Sequence, residues 1–179
     1  MTGRHVALLR GINVGGHHKL PMKALAQIVE DLGGLDVSTY IQSGNVVFSA
    51  TAAGAKKLAR SLGRAIAKEF GFEVPVVIRS ASELRHALES HPFHRRGVET
   101  SELHFVFLQS APSAAGVKQL DPKRSPPDEF VVKGQEVFVC CPNGVARSKL
   151  TNAYFDSNLQ TISTARNWRT VVKLVEMSS

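Results

Sequence analysis

Cysteine is scarce in this sequence, and its scarcity excludes a disulfide scaffold. The 179 residues include two cysteines, Cys140 and Cys141, which are adjacent in an apolar run. Adjacent side chains of a strand point to opposite faces of the sheet, so this pair is poorly placed for a mutual disulfide bond or a shared metal ion. We therefore expect both cysteines to be reduced, partly buried thiols.

Long apolar runs are also missing. No segment approaches the roughly 18 apolar residues that a membrane-spanning helix needs, and Met1 to Arg10 lacks the apolar region of a secretory signal peptide. We therefore expect a cytoplasmic protein that has no membrane partner.

Acidic residues are few relative to basic ones. The chain has 22 Lys and Arg against 15 Asp and Glu, a formal net charge of +7, and a pI near 9.7. Such a balance favours polyanionic or phosphorylated partners, although net charge also serves solubility alone. The apolar fraction of 43% is enough for one sizeable core or two small ones.

The first half of the chain alternates between strand and helix patterns. Apolar periodicity, glycines and prolines predict strands and helices in the order β-α-β-β-α-β. The six segments are His5 to Leu9, Pro21 to Leu32, Val37 to Ile41, Val46 to Phe48, Ala55 to Phe70 and Val74 to Ile78. This order is typical of a ferredoxin-like unit, in which two helices cover one face of a four-stranded antiparallel sheet.

The second half begins a similar pattern after a short helix at Ser82 to Glu89 and a linker at 91–102. A strand at Leu103 to Leu108, a helix at Ser113 to Leu120 and a hairpin within 129–141 are followed by two helical segments. The predicted fold class is therefore α+β, an α/β sandwich of two ferredoxin-like βαββαβ-type subdomains packed together. We expect subdomains at 1–90 and 103–179 that form one compact folding unit.

The glycine-containing segment from Arg10 to Lys19 lies between the first strand and the first helix, where backbone N–H groups often bind anions. Gly11 and Gly16 have the spacing of the outer glycines of a P-loop, but His17 and His18 stand where that motif needs Lys and Ser or Thr. The glycine spacing of the dinucleotide fingerprint is absent too. An ATPase is excluded, and the segment either binds another anion or forms a tight turn.

Two further polar segments lie at the ends of predicted elements. Ser43, Gly44 and Asn45 supply a hydroxyl, a flexible backbone position and an amide, which bind an anion or cap a hairpin. Thr164 to Thr170 is expected to open a helix capped by Ser163 or Thr164. Arg166 and Arg169 would then lie in its first turns, an unfavourable position for cations unless an anion or a carboxylate compensates.

The long helix predicted in the first half has a basic face without acidic residues. Its cations form either a solvated face or a nucleic-acid contact, and they are Lys56, Lys57, Arg60, Arg64 and Lys68. The strands lack the glycine and aromatic motif of an RNA-recognition sheet. The histidines lack the spacing of a metal site, so we expect neither a metal nor a cofactor.

Three blocks of this sequence resemble the signature segments of one protein family. They are Leu8 to Gly16, Tyr40 to Phe48 and Thr164 to Val171, and the likeness extends to Lys19, Met22, Pro92-Phe93 and Lys149 to Asn152. The sequence is similar to the domain-of-unknown-function 1697 family. That resemblance implies a compact bacterial α/β protein of two ferredoxin-like subdomains and brings no established catalytic residues. His17-His18 replace the family's usual Lys-Asn.

We hypothesise that the three polar blocks converge on one anion-binding pocket. Its residues would be Arg10, Asn13, Ser43, Asn45, Arg166 and Asn167, a set that suits a phosphorylated small molecule or a nucleotide. If the protein is an enzyme, His17 or His18 is the expected proton carrier. Two alternatives are a nucleic-acid-binding protein that uses the basic helix face, and a protein-interaction module in which the polar blocks are purely structural. The oligomeric state is left open.

Overall fold

The computed structural model describes residues 1–179 and has an α+β fold. The chain divides into two compact units, the first made of Met1–Arg85 with Lys173–Ser179 and the second of His86–Val172. Each unit contains one four-stranded antiparallel sheet. Because each follows the order β-α-β-β-α-β, the two ferredoxin-like units predicted from the sequence are confirmed.

The first unit contains the glycine-containing loop and the basic helix. Its elements are β1 (Thr2–Leu9), α1 (Met22–Asp31), β2 (Leu35–Tyr40), β3 (Asn45–Thr51), α2 (Ala52–Phe70), β4 (Val76–Ser80) and the start of α3 (Ala81–Glu89). The sheet order is β2-β3-β1-β4, so β1 lies between β3 and β4. The loop after β1 therefore starts at the middle of the sheet, beside the turn that joins β2 and β3.

The core of the first unit forms where the two helices cover one face of this sheet. Both helices present an apolar stripe because their apolar residues recur every three or four positions. The buried stripe of α1 is Leu25, Ile28 and Val29, and that of α2 is Ala55, Leu58, Leu62 and Ile66. They pack against alternate strand residues such as Ala7 and Leu9, as the two-residue period of a strand requires.

The second unit contains the polar segment near the C-terminus. After the end of α3 come α4 (Pro92–Arg95), a short 3₁₀ helix (Thr100–Glu102), β5 (Leu103–Leu108), α5 (Ala114–Lys118), β6 (Glu129–Lys133), β7 (Glu136–Cys140), α6 (Asn152–Leu159), β8 (Ser163–Asn167) and α7 (Trp168–Met177). The sheet order β6-β7-β5-β8 repeats that of the first unit. One face of this sheet, including Val106, Leu108 and Val139, packs against Phe155 and Leu159 of α6.

The opposite face of the second sheet is covered by an aromatic cluster. His91 is fully buried, and its ring lies 4.8 Å from that of Phe105, 5.0 Å from Phe138 and 5.8 Å from Trp168. Burial lowers the pKa of His91 to about 4, so its ring is neutral at neutral pH. Its Nε2–H donates to the carbonyl of His104, and its Nδ1 has no partner.

The predicted linker at 91–102 is wrong, because this segment is an ordered part of the second unit. His91 and Phe93 are buried in the aromatic cluster, and Val98 N–H donates to the Phe93 carbonyl. Charged residues and a proline indicate a linker when the sequence is considered alone. The aromatic side chains that fix the segment lie in β5, β7 and the C-terminal helix, each more than ten residues away in the sequence.

The predicted helix start near Ser163 is also wrong, because Ser163–Asn167 forms β8. This strand pairs with β5 in the register His104↔Asn167 and Phe105↔Arg166. The segment has no apolar alternation that would indicate a strand, and its pairing partner lies some 60 residues earlier in the chain. The structure also assigns Lys173–Ser179 to the first unit, whereas we expected all of 103–179 in the second. No helix has the length and apolar content needed to cross a membrane.

Candidate functional site

The glycine-containing loop after β1 is a tight turn. Val14 and His17 form an isolated antiparallel bridge, and the two glycines between them have φ of 57° and 78°. A type I′ turn requires a positive φ at both central residues, and glycine adopts such a φ without steric strain. The need for Gly15 and Gly16 is therefore explained by local backbone geometry.

Asn13 fastens this loop to the turn between β2 and β3. Its Nδ2 donates to the carbonyls of Leu20, at 2.9 Å, and Gln42, at 2.8 Å. Its Oδ1 accepts from Leu20 N–H at 2.8 Å, and its φ of 53° is one that asparagine tolerates better than most residues. Two of the three polar blocks are thus adjacent in the first unit, and the Asn13 side chain is used to join them.

The residues of the turn between β2 and β3 are also determined by packing and local hydrogen bonds. Asn45 is fully buried, and its Nδ2 donates to the Tyr40 carbonyl and to Ser43 Oγ. A Cβ on Gly44 would lie 2.7 Å from Leu9 Cβ and 2.9 Å from Ile12 Cδ1. Gly44 and Asn45 therefore serve the fold directly, and the Ser43 hydroxyl is part of the same local network.

The histidines of the loop are exposed and differ in their contacts. His18 stacks on Phe72, with ring centroids 4.5 Å apart, and its Nδ1 lies 3.0 Å from the Gly11 carbonyl. A carbonyl only accepts, so Nδ1 carries the proton of that bond. The role of His17 or His18 as a proton carrier stays a prediction.

Arg166 and Asn167 lie in the second unit and point to opposite faces of its sheet. Alternation along β8 places Arg166 on the face of its partner Phe105, and Asn167 on the face of His104. The Arg166 guanidinium donates to Thr164 Oγ1 at 2.8 Å and to the Ala165 carbonyl at 2.7 Å. The sequence predicts that both residues lie at the start of a helix. The structure places both in a strand instead.

Arg166 is a buried cation. Burial lowers the pKa of its guanidinium to about 10, which leaves the side chain charged at neutral pH. Asn167 instead caps α7, because its Oδ1 accepts from Thr170 N–H at 2.9 Å. The N-cap is thus Asn167 and not Ser163 or Thr164.

A cleft of about 430 Å³ lies on the Asn167 side of the second sheet. It is formed where the loop after β7 meets the first residues of α6 and the end of β8. Its walls are built from His104, Val145, Ser148, Leu150, Thr151, Asn152, Ala165, Arg166 and Asn167. Of the two predicted residues of the C-terminal block, Asn167 has its side chain on this face of the sheet, whereas that of Arg166 points to the opposite face. The other polar residues of the cleft were not selected from the sequence.

Asn152 occupies the first position of α6, where backbone N–H groups lack helical acceptors. Thr151 caps the helix through a bond from Tyr154 N–H to its Oγ1. The Ser163 hydroxyl donates to Asp156 Oδ1 at 2.6 Å, and its Oγ also lies 3.2 Å from Asn152 Oδ1. Positive potential at a helix start favours anions, and the adjacent loop adds two exposed cations, Arg147 and Lys149.

His104 presents a hydrogen-bond acceptor beside this cleft. Its Nδ1 lies 3.1 Å from the Glu102 carbonyl, so Nδ1 carries a proton. Burial is the largest cause of a lowered pKa at His104, which favours the neutral ring. Nε2 of the neutral ring is then the unprotonated nitrogen. No spacing in the sequence distinguishes His104 from the other histidines.

The basic residues of α2 lie on its solvent side. Lys56, Lys57, Arg60, Arg64 and Lys68 are all exposed, whereas Leu58, Leu62 and Ile66 are buried. The prediction of a continuous basic face therefore agrees with the geometry of the helix. Whether this face binds nucleic acid stays a prediction.

The fold places this chain in a general class of proteins, and comparison with known proteins identifies its family. The class is an α+β protein of two ferredoxin-like units. A family model described as "Protein of unknown function (DUF1697)" matches residues 1–138, and the chain belongs to this family.

A solved structure described as conserved bacterial protein SP0830 from Streptococcus pneumoniae is similar over the whole length of both chains. The sequence identity is 25% and the TM-score is 0.73. A search of curated proteins found no match.

Proposed function

We propose that this protein binds a small anionic ligand, of the phosphate or carboxylate class, in the cleft of its second unit. The observation that carries the proposal is the concentration of polar groups in one 430 Å³ cleft at the start of α6. A cleft of this size holds a small phosphorylated molecule. The net charge of +7 favours the approach of an anion.

The polar groups of the cleft include both hydrogen-bond donors and an acceptor nitrogen on His104. The helix start and the Asn152 amide offer N–H groups, and Ser148 offers a hydroxyl. His104 Nε2 accepts when the ring is neutral. We infer that the preferred ligand carries a hydroxyl or a protonated phosphate oxygen besides its anionic group, as a phosphorylated sugar or a nucleotide does.

The proposed binding site is smaller than the pocket expected from the sequence. Of the three polar blocks, it includes only the C-terminal one. Asn13, Asn45 and Asn167 have internal hydrogen bonds that account for them structurally. Anion binding is therefore best supported at Asn152, Ser148 and His104, and Asn167 lies at the edge of their cleft.

The test is a thermal-shift and calorimetric titration with inorganic phosphate, nucleoside monophosphates and sugar phosphates. Asn152→Asp places a carboxylate at the first turn of α6, where it repels an anion. The helix start favours this charge, whereas the Asp156 carboxylate one turn away, which also contacts Ser163, disfavours it. We expect a melting temperature that changes little, because these two effects oppose each other, and an affinity reduced about tenfold or more.

Gln119→Glu adds the same charge to an exposed position of the second unit and serves as the matched control. Binding that is equally strong in wild type and Asn152→Asp would contradict the proposal. Binding that falls equally in both variants would assign the effect to net charge and would contradict it as well.

A further inference from the structure

The cations of α2 form a regular row that the proposed ligand cleft does not involve. Lys56, Arg60, Arg64 and Lys68 recur every four residues, and α2 rises about 6 Å over each such step. Arg60, Arg64 and Lys68 each follow a buried residue by two positions, which is roughly 200° around the helix. The row therefore runs along the line of α2 that projects farthest into solvent.

This arrangement is unfavourable for the helix itself. Like charges four residues apart destabilise a helix, and the only acidic residue of α2 is Glu69, in its last turn. Two exposed cations outside α2 do pair with carboxylates, Lys173 with Glu176 and Arg96 with Glu129, each at 3.3 Å. The helix is held by its apolar face and by the Thr51 cap, whose Oγ1 accepts from Gly54 N–H at 3.0 Å.

We propose that this cation row binds the phosphodiester backbone of a nucleic acid. A line of evenly spaced charges matches a polymer of evenly spaced phosphates better than it matches a compact anion. The contact is expected to be insensitive to sequence, because phosphate contacts position a nucleic acid without reading its bases.

One end of the row is less suited to phosphate. A groove between α1 and α2 is lined by Lys68 together with the carboxylates of Asp31 and Glu69. These carboxylates repel a phosphate near Lys68, so the strongest contacts are expected at the two arginines in the middle. Arg60 and Arg64 are therefore the positions to change.

The experiment measures fluorescence anisotropy of a labelled single-stranded oligonucleotide and of a duplex over a range of salt concentrations. If all four cations contact phosphates, the slope of log affinity against log salt is about −2.8 for the single strand and about −3.6 for the duplex. Between 50 and 200 mM salt the affinity would then fall about 50-fold and about 150-fold respectively.

The variant Arg60→Gln/Arg64→Gln removes two cations from the row. We expect its slope to be shallower by about 1.4 for the single strand or 1.8 for the duplex. Its melting temperature should stay the same or rise, because repulsion within α2 is relieved. Lys118→Gln/Lys133→Gln removes the same charge from exposed positions of the second unit and should leave the slope nearly unchanged.

Several results would overturn the proposal. They are equal slopes in wild type and the arginine variant, an equal change in the control variant, and tighter binding to phosphatidylserine vesicles than to either oligonucleotide. The last result would assign the row to a membrane surface. Since Asn152→Asp changes the cleft and not α2, failure of the ligand proposal leaves this test unaffected.

Discussion

At the scale of single residues, the polar blocks are explained first by the backbone that they hold in place. Asn13 is the clearest case, because its amide satisfies backbone groups of Leu20 and Gln42. Glycine-rich loops suggest phosphate binding when only the sequence is considered. Here the same residues are needed for a turn and for the attachment of that turn to its neighbour.

Replacing Asn13 with glycine tests this role. Asn13→Gly tolerates the positive φ but removes the side-chain bonds, and we expect a loss of about 2 kcal/mol in the free energy of unfolding. Asn143→Gly, at an exposed loop position, is the comparison. Chemical denaturation measures both, and a loss in Asn13→Gly no larger than that in Asn143→Gly would refute the role.

Gly44 is required for close packing. In Gly44→Ala the new methyl group would contact Leu9 and Ile12 at less than 3 Å, and alanine would have to adopt a φ of 82°. We expect destabilisation of about 2 to 4 kcal/mol, measured by urea denaturation. Gly97→Ala, whose φ of 80° is similar but whose added Cβ meets nothing, separates strain from steric overlap and should cost clearly less.

His91 makes the second unit sensitive to acid. Its folded pKa of about 4 is below its ordinary value of 6.5, so the unfolded chain takes up a proton first as the pH falls. The contribution of His91 to stability is therefore full above pH 6.5 and is lost as the pH falls from 6.5 to 4, by about 3 kcal/mol. His91→Phe should flatten this part of a plot of unfolding free energy against pH. The same slope in wild type and variant would exclude His91 as the cause.

At the scale of elements, capping and strand alternation determine what the C-terminal segment does. The strand β8 divides Arg166 and Asn167 between two faces, and Asn167 then starts α7. A residue that caps a helix at the edge of a cleft has two separable roles.

Asn167 therefore offers a prediction at this scale. Asn167→Ala should lower stability by about 1 kcal/mol, whereas Asn167→Asp should retain the cap and the stability. Thermal unfolding of both variants measures the contribution of the cap to stability. If the alanine variant is as stable as the aspartate variant, the cap contributes nothing and the assignment fails.

At the scale of the whole molecule, the two ends of the chain belong to the same unit. Leu174 is fully buried, Arg4 NH2 donates to the Met177 carbonyl and Arg85 donates to Ser179 Oγ. Both ends of the chain therefore contribute to the stability of the first unit.

A chain that ends at Val172 tests this organisation. We expect faster amide hydrogen exchange in β1 to β4 than in β5 to β8, because the removed residues belong to the first unit. The full-length chain is the reference for each amide. A loss of protection that is larger in β5 to β8 would contradict the assignment of the last seven residues.

The sequence by itself determined the fold class, the order of strands and helices in the first unit and the basic face of α2. These features follow from local periodicity, since a stripe of apolar residues selects a helix or a strand and leaves the charges outside. Tertiary structure decided the strand at Ser163–Asn167, the burial of His91 and the cleft around Asn152. Each of these depends on contacts between residues far apart in the chain, which local patterns do not encode.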